Sequence, residues 1–256
     1  MEAVVSRPTE DVVKSLVKVV AILDAFSATR RSMSLAEISA ATGFPHSTTH
    51  RLAASMREVG LLDQDRHRDR YRLGLKLFEL GNVVLANMDL HREARPIVDA
   101  LSRISGHLVH LAIFDGRHAV VIHRADPAPE GGTPLTLIEA APVHCTSVGK
   151  AILAFQPPET IEAVVSAGLQ RFTDATITSE RKLKAELKAV RTRGYAVDDG
   201  EHQPGIRCVG APIRDPSGRV VAGLSVSGPA RNLRKDQVSD LAKIVIHHAS
   251  LVSAKL

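Results

Sequence analysis

Apolar positions at the start of the chain recur at steps of three and four residues, which is the spacing of an amphipathic helix. The first ten residues are polar, contain Pro8, and are expected to form a frayed tail. The helical spacing begins at Asp11, a residue type suited to an N-cap. A first helix is therefore predicted, with its apolar stripe at Val12, Leu16, Val19, Leu23 and Phe26.

Residues 34–60 have the pattern of a helix-turn-helix. Ser34 and Glu37 match a capping box that opens a short helix, and Gly43 lies where that helix ends in a sharp turn. Pro45 then lies where a second helix begins. The second helix has a small, polar, basic leading edge, as a helix that enters the major groove of DNA would. Its apolar stripe is predicted at Leu52, Met56 and Val59.

A charged hairpin is predicted directly after the second helix. Residues 61–64 and 71–73 form two short strands around a charged tip from Asp65 to Arg70. Such a hairpin is a wing, whose arginines can reach phosphates or the minor groove. Acidic residues alternate with the arginines, so the net charge of the wing is small. The winged helix-turn-helix domain is expected to span residues 1–73.

The remainder of the chain is predicted to be a linker over residues 74–90 and a second domain over residues 91–256. The linker contains a helix, and the second domain opens with another. From His107 the apolar positions alternate as in strands, with a hairpin turn at Asp115-Gly116 and another strand at 134–140. Strands mixed with helices predict an α+β domain with a largely antiparallel sheet. Further helices are expected at 148–155, 159–167, 179–193 and 235–251.

A last hairpin, residues 205–214 and 219–227, permits a prediction of side-chain direction. If Arg214 faces Arg219 across the turn, Cys208 lies opposite Ser225 and Ile206 lies opposite Ser227. A bulge at Gly218 would shift these pairs by one residue. One face is then small and partly polar, with room for a small ligand. The other is an apolar core face formed by Val209, Ala211, Ile213, Val220, Ala222, Leu224 and Val226.

Composition narrows the class of protein. The 256 residues are 44% hydrophobic and 24% charged, an ordinary globular balance, and the formal net charge of +5 is compatible with nucleic-acid binding. Two cysteines, Cys145 and Cys208, do not form a disulfide framework and indicate a reducing cytosol. No signal pattern is present, and the apolar run at 19–23 is too short to span a bilayer. A cytoplasmic protein is expected.

Patterns for catalysis, metals and cofactors are incomplete. The phosphate-loop pattern fails because His144 and Ala151 stand where glycine and Ser or Thr are required. The nucleophile-elbow pattern fails at Ser227, where glycine is required. Cys208 and Asp198 are too few ligands for a metal, and no cofactor, metal or catalytic residue is predicted. Three alternatives stay open: a hydrolase built on Ser225 or Cys208 with His144, a module that binds another protein through its winged helix, and a tightly packed sheet without a ligand.

Four segments together resemble the IclR family of bacterial transcription regulators over almost the whole chain. They are PHSTTHRL at 45–52, YRLGLKLFELG at 71–81, PVHCTSVGKAILA at 142–154 and DDGEHQPGIRCVGAPIRDPSGRVVAGLSVSGP at 198–229. The resemblance implies a winged-helix domain, a linker helix and a GAF-like effector domain. It also implies homodimers, often paired into tetramers, bound to double-stranded operator DNA. Whether such a regulator represses or activates is not readable from its sequence.

The DNA contacts are predicted from the position of each residue. The start of the second helix should reach bases and phosphates, whereas the wing should contribute charge only. Arg51 has an alternative as the structural partner of Glu58 or Glu37. The predicted DNA-binding residues are Ser47, Thr48, Thr49, His50 and Arg51 on the helix and Arg66, Arg68 and Arg70 on the wing.

The effector residues are predicted from the small strand face and from the resemblance. Ile206, Cys208, Ser225 and Ser227 lie on that face, and the family resemblance points to the same positions. The resemblance adds Asp198, Ser147 and Val148. Ser147 begins a helix, whose free N–H groups near 147–149 favour a carboxylate, so a small organic acid is expected. Relatives often have glycine or alanine at 147–148, so the ligand need not be a relative's.

Overall fold

The fold was examined in a computed structural model that describes residues 13–27, 29–64, 69–127 and 140–256. The described chain divides into two compact units, one extending to Leu85 and the other beginning at Ala86. The predicted N-cap Asp11, the frayed tail and the wing tip at 65–68 lie outside the described residues. Within them, no helix is long and apolar enough to cross a membrane.

The first unit is a small helical domain with a three-stranded sheet in the order β1-β3-β2. The capping box is present, because Ser34 Oγ accepts from the Glu37 N–H at 3.3 Å and Glu37 Oε2 accepts from the Ser34 N–H at 2.6 Å. Gly43 ends the second helix with φ 70°, a conformation that favours glycine. The elements are α1 (Lys14–Asp24), β1 (Met33–Ser34), α2 (Leu35–Thr42), α3 (His46–Glu58), β2 (Leu62–Gln64), β3 (Arg70–Leu73) and α4 (Leu75–Ala86).

The core of this unit shows how α3 is oriented. Thr49, Ala53 and Met56 face inward, whereas Val59 is 62% exposed. The predicted stripe was therefore wrong at Val59, which follows the end of the helix. Strand β1 was not predicted, because two residues are too few to show alternation. The core residues are Ile22, Phe26, Met33, Ile38, Ala53, Met56, Leu62 and Tyr71.

The second unit is an α+β domain around a six-stranded sheet, in which every pair of neighbouring strands is antiparallel. The predicted fold class is confirmed. Of the predicted strand at 134–140, only its last residue is described. Strand β7 was not predicted. The elements are α5 (Asp89–Ser105), β4 (Leu108–Phe114), β5 (His118–Ala125), β6 (Ala140–Pro142), α6 (Ser147–Leu153), α7 (Pro158–Ser166), α8 (Glu180–Arg193), β7 (Ala196–Asp199), β8 (Ile206–Arg214), β9 (Val220–Pro229), a 3₁₀ turn (Lys235–Gln237) and α9 (Val238–Ser253).

Helices cover both faces of the sheet, whose strand order is β6-β5-β4-β9-β8-β7. Apolar side chains of α5 and α9 pack on one face, and α6 and α8 contribute to a second core on the other. Removing these side chains from water is the main source of stability of such a layered domain. The second face is the one that positions the candidate ligand site.

The predicted hairpin register of β8 and β9 was wrong by two positions. Cys208 pairs with Ser227 and Gly210 pairs with Ser225, with an irregularity next to Ile213. A slip of two residues leaves each side chain on the same face, because side chains alternate with a period of two. Cys208, Ser225 and Ser227 therefore lie on one face of the hairpin, as predicted. Beyond the irregularity the faces exchange, so Val220 packs in the core on the α6 side, opposite to its prediction.

Candidate functional site

The leading end of α3 presents an exposed polar surface. Ser47, His50 and Arg51 are exposed, and Thr48 is half-buried. Thr49 is fully buried, and its Oγ1 donates to the carbonyl of Pro45 at 3.2 Å. The Thr49 side chain thus belongs to the core of the unit and cannot reach a base without unfolding the helix. The i, i+4, i+7 spacing of Thr49, Ala53 and Met56 could have shown this from the sequence.

Arg51 has no ion pair among the described residues. Its two alternative partners are engaged elsewhere, since Glu37 pairs with Arg70 at 2.9 Å and Glu58 lies 3.7 Å from Arg57. The Arg51 guanidinium is therefore available at the surface of α3 for a phosphate or a guanine edge.

Of the three arginines predicted for the wing, the structure describes only Arg70. Arg66 and Arg68 lie outside the described residues. Arg70 donates through Nη2 to the Ser32 carbonyl at 2.8 Å and through Nε to Ser32 Oγ at 3.2 Å, besides its ion pair with Glu37. Arg70 thus joins β3 to the start of α2. These contacts give Arg70 a structural role within the unit, and its charge contact to DNA stays a prediction.

A cavity opens between the small face of β8 and β9 and the start of α6. It encloses about 520 Å³ of empty space, part of which is open to solvent. All seven residues predicted for the effector site line it. The complete lining is His110, Val121, Ala141, Thr146, Ser147, Val148, Asp198, His202, Gln203, Ile206, Cys208, Ser225 and Ser227.

Two glycines bring α6 against the sheet. A Cβ on Gly210 would lie 2.7 Å from the Ser147 carbonyl carbon, and one on Gly223 would lie 2.9 Å from Val148 Cγ2. Both distances are shorter than a side chain tolerates. Part of the small face is therefore closely packed, as one sequence alternative held. Cys208, Ser225 and Ser227 on the same face line the open space.

The start of α6 offers fewer free amides than expected. Thr146 is the N-cap, and its Oγ1 accepts from the Gly149 N–H at 3.2 Å. The same hydroxyl donates to the Pro142 carbonyl at 2.7 Å. The predicted anion-binding amides at 147–149 are thus reduced to those of Ser147 and Val148.

His110 was not predicted as a lining residue. The alternation of side chains along β4 could have shown that it lies on the cavity side of the sheet. Its Nδ1 lies 3.5 Å from Ser227 Oγ, and it pairs across β4 and β9 with Ser225. Burial lowers the pKa of His110 to about 4, so the imidazole is neutral at physiological pH. It can offer a ligand one donor or one acceptor.

Asp198 is the only acidic residue in the described lining, and neither Lys nor Arg occurs there. Its Oδ1 accepts from the N–H of Glu201 at 2.7 Å and from that of His202 at 3.4 Å, which fixes the carboxyl at the cavity wall. Burial raises the pKa of Asp198 to about 6, since these hydrogen bonds and Lys150 only partly offset desolvation.

A buried ionic cluster lies behind Asp198. Lys150 of α6 is 1% exposed and forms an ion pair with Glu201, with Glu186 at 3.8 Å. Glu186 also pairs with Arg193 at 2.6 Å. Glu201 Oε2 is buried without a hydrogen-bond partner, and burial raises the pKa of Glu201 to about 7. The cluster holds His202 and Gln203, which follow Glu201, at the cavity.

The arrangement needed for the hydrolase alternative is absent from the described residues. His144 does not line the cavity, and its Nε2 lies 2.9 Å from the Gln170 carbonyl oxygen. Burial raises the pKa of the Cys208 thiol, which disfavours a thiolate. The part of the chain that the structure describes also contains no group of three or more His, Cys, Asp or Glu side chains placed to hold a metal ion.

A helix-turn-helix unit joined to an α+β unit with a cavity beside its sheet is the architecture of a transcription regulator with an effector domain. Comparison with known proteins supports this class. Residues 15–66 match the IclR helix-turn-helix domain, and residues 82–254 match the C-terminal domain of bacterial IclR transcriptional regulators. The chain therefore belongs to the IclR family.

Relatives match over nearly their whole length. The transcriptional regulator XynR of Escherichia coli is 33% identical over 84% of this chain and 86% of its own. The acetate operon repressor of Salmonella typhimurium is 32% identical over 98% and 93%. The crystal structure of an IclR homologue from Microbacterium hydrocarbonoxydans, complexed with 4-hydroxybenzoate, has a TM-score of 0.78 and 26% identity over 94% of this chain and 98% of that one.

Proposed function

We propose that the chain binds operator DNA through α3 and its wing and responds to a small organic acid that occupies the cavity, thereby controlling a catabolic operon. The observation that carries this proposal is the cavity, whose lining combines hydroxyl groups, a neutral histidine and a buried carboxyl. For such a response, the ligand must bind two arrangements of the protein with different affinity.

An acid effector fits the cavity if Asp198 is protonated when the acid binds. The described lining contains no cation, and an ionised Asp198 would repel a carboxylate. The raised pKa of Asp198 lets it bind a proton when an anion enters, which removes the repulsion. Ser147, Ser225 and Ser227 then supply hydroxyl donors. The 4-hydroxybenzoate bound to the Microbacterium homologue is an acid of suitable size.

A homodimer is the proposed form in solution, paired further into tetramers. Val13, the N-cap of α1, and Leu16, Val17 and Val20 on that helix are each more than half exposed and lie on one face at steps of three and four residues. Helix α4 buries none of its residues, even though several are apolar. Leu75 and Phe78, for example, are 78% and 68% exposed. Apolar faces of this size mark association, and a second copy of the chain is the proposed occupant.

No catalytic activity is proposed, because His144 does not line the cavity, burial disfavours a Cys208 thiolate, and the matched relatives are named as regulators. A protein that binds operator DNA in this way acts in the cytoplasm. The rival role of a pure protein-interaction module would require that duplex DNA is not bound with any sequence preference.

A thermal-shift screen of small organic acids, including 4-hydroxybenzoate, tests the cavity. At least one acid is expected to raise the melting temperature, because a ligand that binds only the folded state stabilises it. Ser147→Leu and Ser225→Leu should abolish that rise by filling the cavity. Ser166→Leu on the exposed face of α7 is the matched control and should retain it. Stabilisation that survives both cavity variants would contradict the proposed site.

A further inference from the structure

Four basic side chains of the first unit are committed to ion pairs within it. Arg57 pairs with Glu58, and Arg70 pairs with Glu37. The same holds for Arg72 with Asp63 at 2.7 Å and Lys76 with Glu79 at 3.1 Å. A cation paired in this way gains less from a phosphate, because its existing partner must be displaced. Contacts to the DNA backbone are therefore expected from cations outside these pairs.

Lys18 of α1 is such a cation. Its Nζ lies 5.7 Å from the centre of the Phe44 ring, within the range of a cation–π interaction. No acidic side chain pairs with Lys18 among residues 13–27, 29–64 and 69–86. Lys18 is half-buried, and its ammonium lies on the Phe44 side of α1.

Phe44 lies just before the start of α3. It precedes His46, the first residue of α3, by two positions. Its carbonyl accepts from Ser39 Oγ at 2.6 Å, and its N–H donates to Thr42 Oγ1 at 3.4 Å, so the turn is tied down on both sides. The ammonium of Lys18 is thus placed over Phe44, in the turn that leads directly into α3 and its exposed residues Ser47, His50 and Arg51.

We propose that Lys18 contacts a DNA phosphate at the edge of the major groove that α3 enters. A helix with its side chains is about 10–12 Å across. The major groove is about 12 Å wide. A helix that fills the groove therefore brings the side chains beside its start against the flanking phosphates. The DNA-binding surface then extends from α3 onto α1, which sequence patterns assigned only to the core.

This inference rests on the proposed function, and it predicts a contact that reads no sequence. A phosphate contact weakens binding to every duplex alike and lowers its dependence on salt, whereas a base contact changes the preference among duplexes. A purely structural Lys18, acting only through the Phe44 ring, would change neither the salt dependence nor the preference.

Fluorescence anisotropy with the full chain tests the contact from ~50 to ~200 mM salt. The probes are a duplex from the region upstream of the protein's own gene and a scrambled duplex of equal length. Lys18→Gln is expected to weaken both, and to reduce the slope of log affinity against log salt by ~1 for each bound protomer. Lys18→Arg should retain the slope. Lys76→Gln, which removes the paired lysine of α4, is the matched control and should leave it unchanged.

An unchanged slope for Lys18→Gln overturns the proposal, as does an equal reduction for Lys76→Gln, which would show a general effect of net charge. A loss confined to the upstream duplex also overturns it, because that result indicates base recognition. If the wild-type chain binds neither duplex, the proposed function itself fails. Urea denaturation of each variant verifies that folding is unchanged.

Discussion

Arg51 on α3 and Lys150 on α6 are both basic residues of helices, yet their surroundings are opposite. Arg51 is exposed and has no ion pair in the described structure, whereas Lys150 is 1% exposed and paired with Glu201. The first arrangement suits a large anionic partner that approaches from solvent. The second cannot meet a partner directly and instead fixes the wall of a cavity. Under the proposed function, the first unit uses charge for contact with DNA, whereas the second uses it to position the cavity wall.

The largest effect expected from this contrast follows from removing Lys150. Lys150→Met leaves the Glu201 carboxylate buried without its partner, which costs about 3–5 kcal/mol of unfolding free energy. Lys150→Met/Glu201→Leu should recover most of that loss, because it removes both charges. Urea denaturation at about pH 8, where Glu201 is more fully ionised, measures both variants.

The control is Lys76→Met, which removes an exposed lysine paired with Glu79 on α4 and should change stability little. If Lys150→Met lowers the unfolding free energy no more than this control does, the pair of Lys150 and Glu201 does not position the cavity wall.

The next largest effect is expected in the pH dependence of the unfolding free energy, to which the buried carboxyls of the second unit contribute. The pKa of Asp198 is raised to about 6 in the folded chain, above its ordinary value of about 3.9. The folded state therefore holds this proton more tightly than the unfolded state does. The resulting stabilisation is full below about pH 4 and is lost as the pH rises through about 6. Glu201 acts in the same direction, with its pKa raised to about 7.

Asp198→Asn removes this contribution, together with the part of the Glu201 shift that the Asp198 charge causes. Relative to the wild type, the variant should gain stability between about pH 4 and pH 7, on the order of 2–3 kcal/mol, because the amide does not ionise. Urea denaturation at several pH values measures the difference. A difference that is independent of pH would mean that Asp198 ionises normally in the folded chain.

The smallest effect is expected at Arg51, and it should appear only in DNA binding. Arg51→Ala should weaken binding to the operator about tenfold, or about 1.4 kcal/mol, within the range for one good base contact. Thr49→Ala is the contrasting variant on the same helix. It should reduce stability, because Thr49 is buried and bonded to Pro45. Unchanged operator affinity for Arg51→Ala would remove Arg51 from the interface.

Sequence patterns were sufficient for features that depend on short periods. The capping box at Ser34, the left-handed turn at Gly43 and the small strand face with Cys208 and Ser225 all follow local rules, and the structure contains each of them. The face was predicted correctly even though the register was not, because a slip of two residues preserves side-chain direction.

Features that depend on distant pairs could not be predicted in this way. Lys150 and Glu201 are 51 residues apart, and only the packing of α6 against the sheet brings them together. The contacts of Arg70 with Ser32 and Glu37 were not predicted, because they require the pairing of β1 with β3, and β1 is only two residues long. Lys18 gains its position from a single aromatic contact, which has no periodic pattern.

The central claim is that one chain joins DNA binding to ligand binding, and it is tested most directly by measuring both together. The measurement is the anisotropy of the upstream duplex with the wild-type chain at fixed salt, with and without the acid that stabilises it most. The account predicts preference for this duplex over its scrambled control and an affinity that changes when the acid is added. In Ser225→Leu the preference should remain and the change should disappear. Equal binding of both duplexes, or an affinity that the acid leaves unaltered in the wild type, would contradict the account.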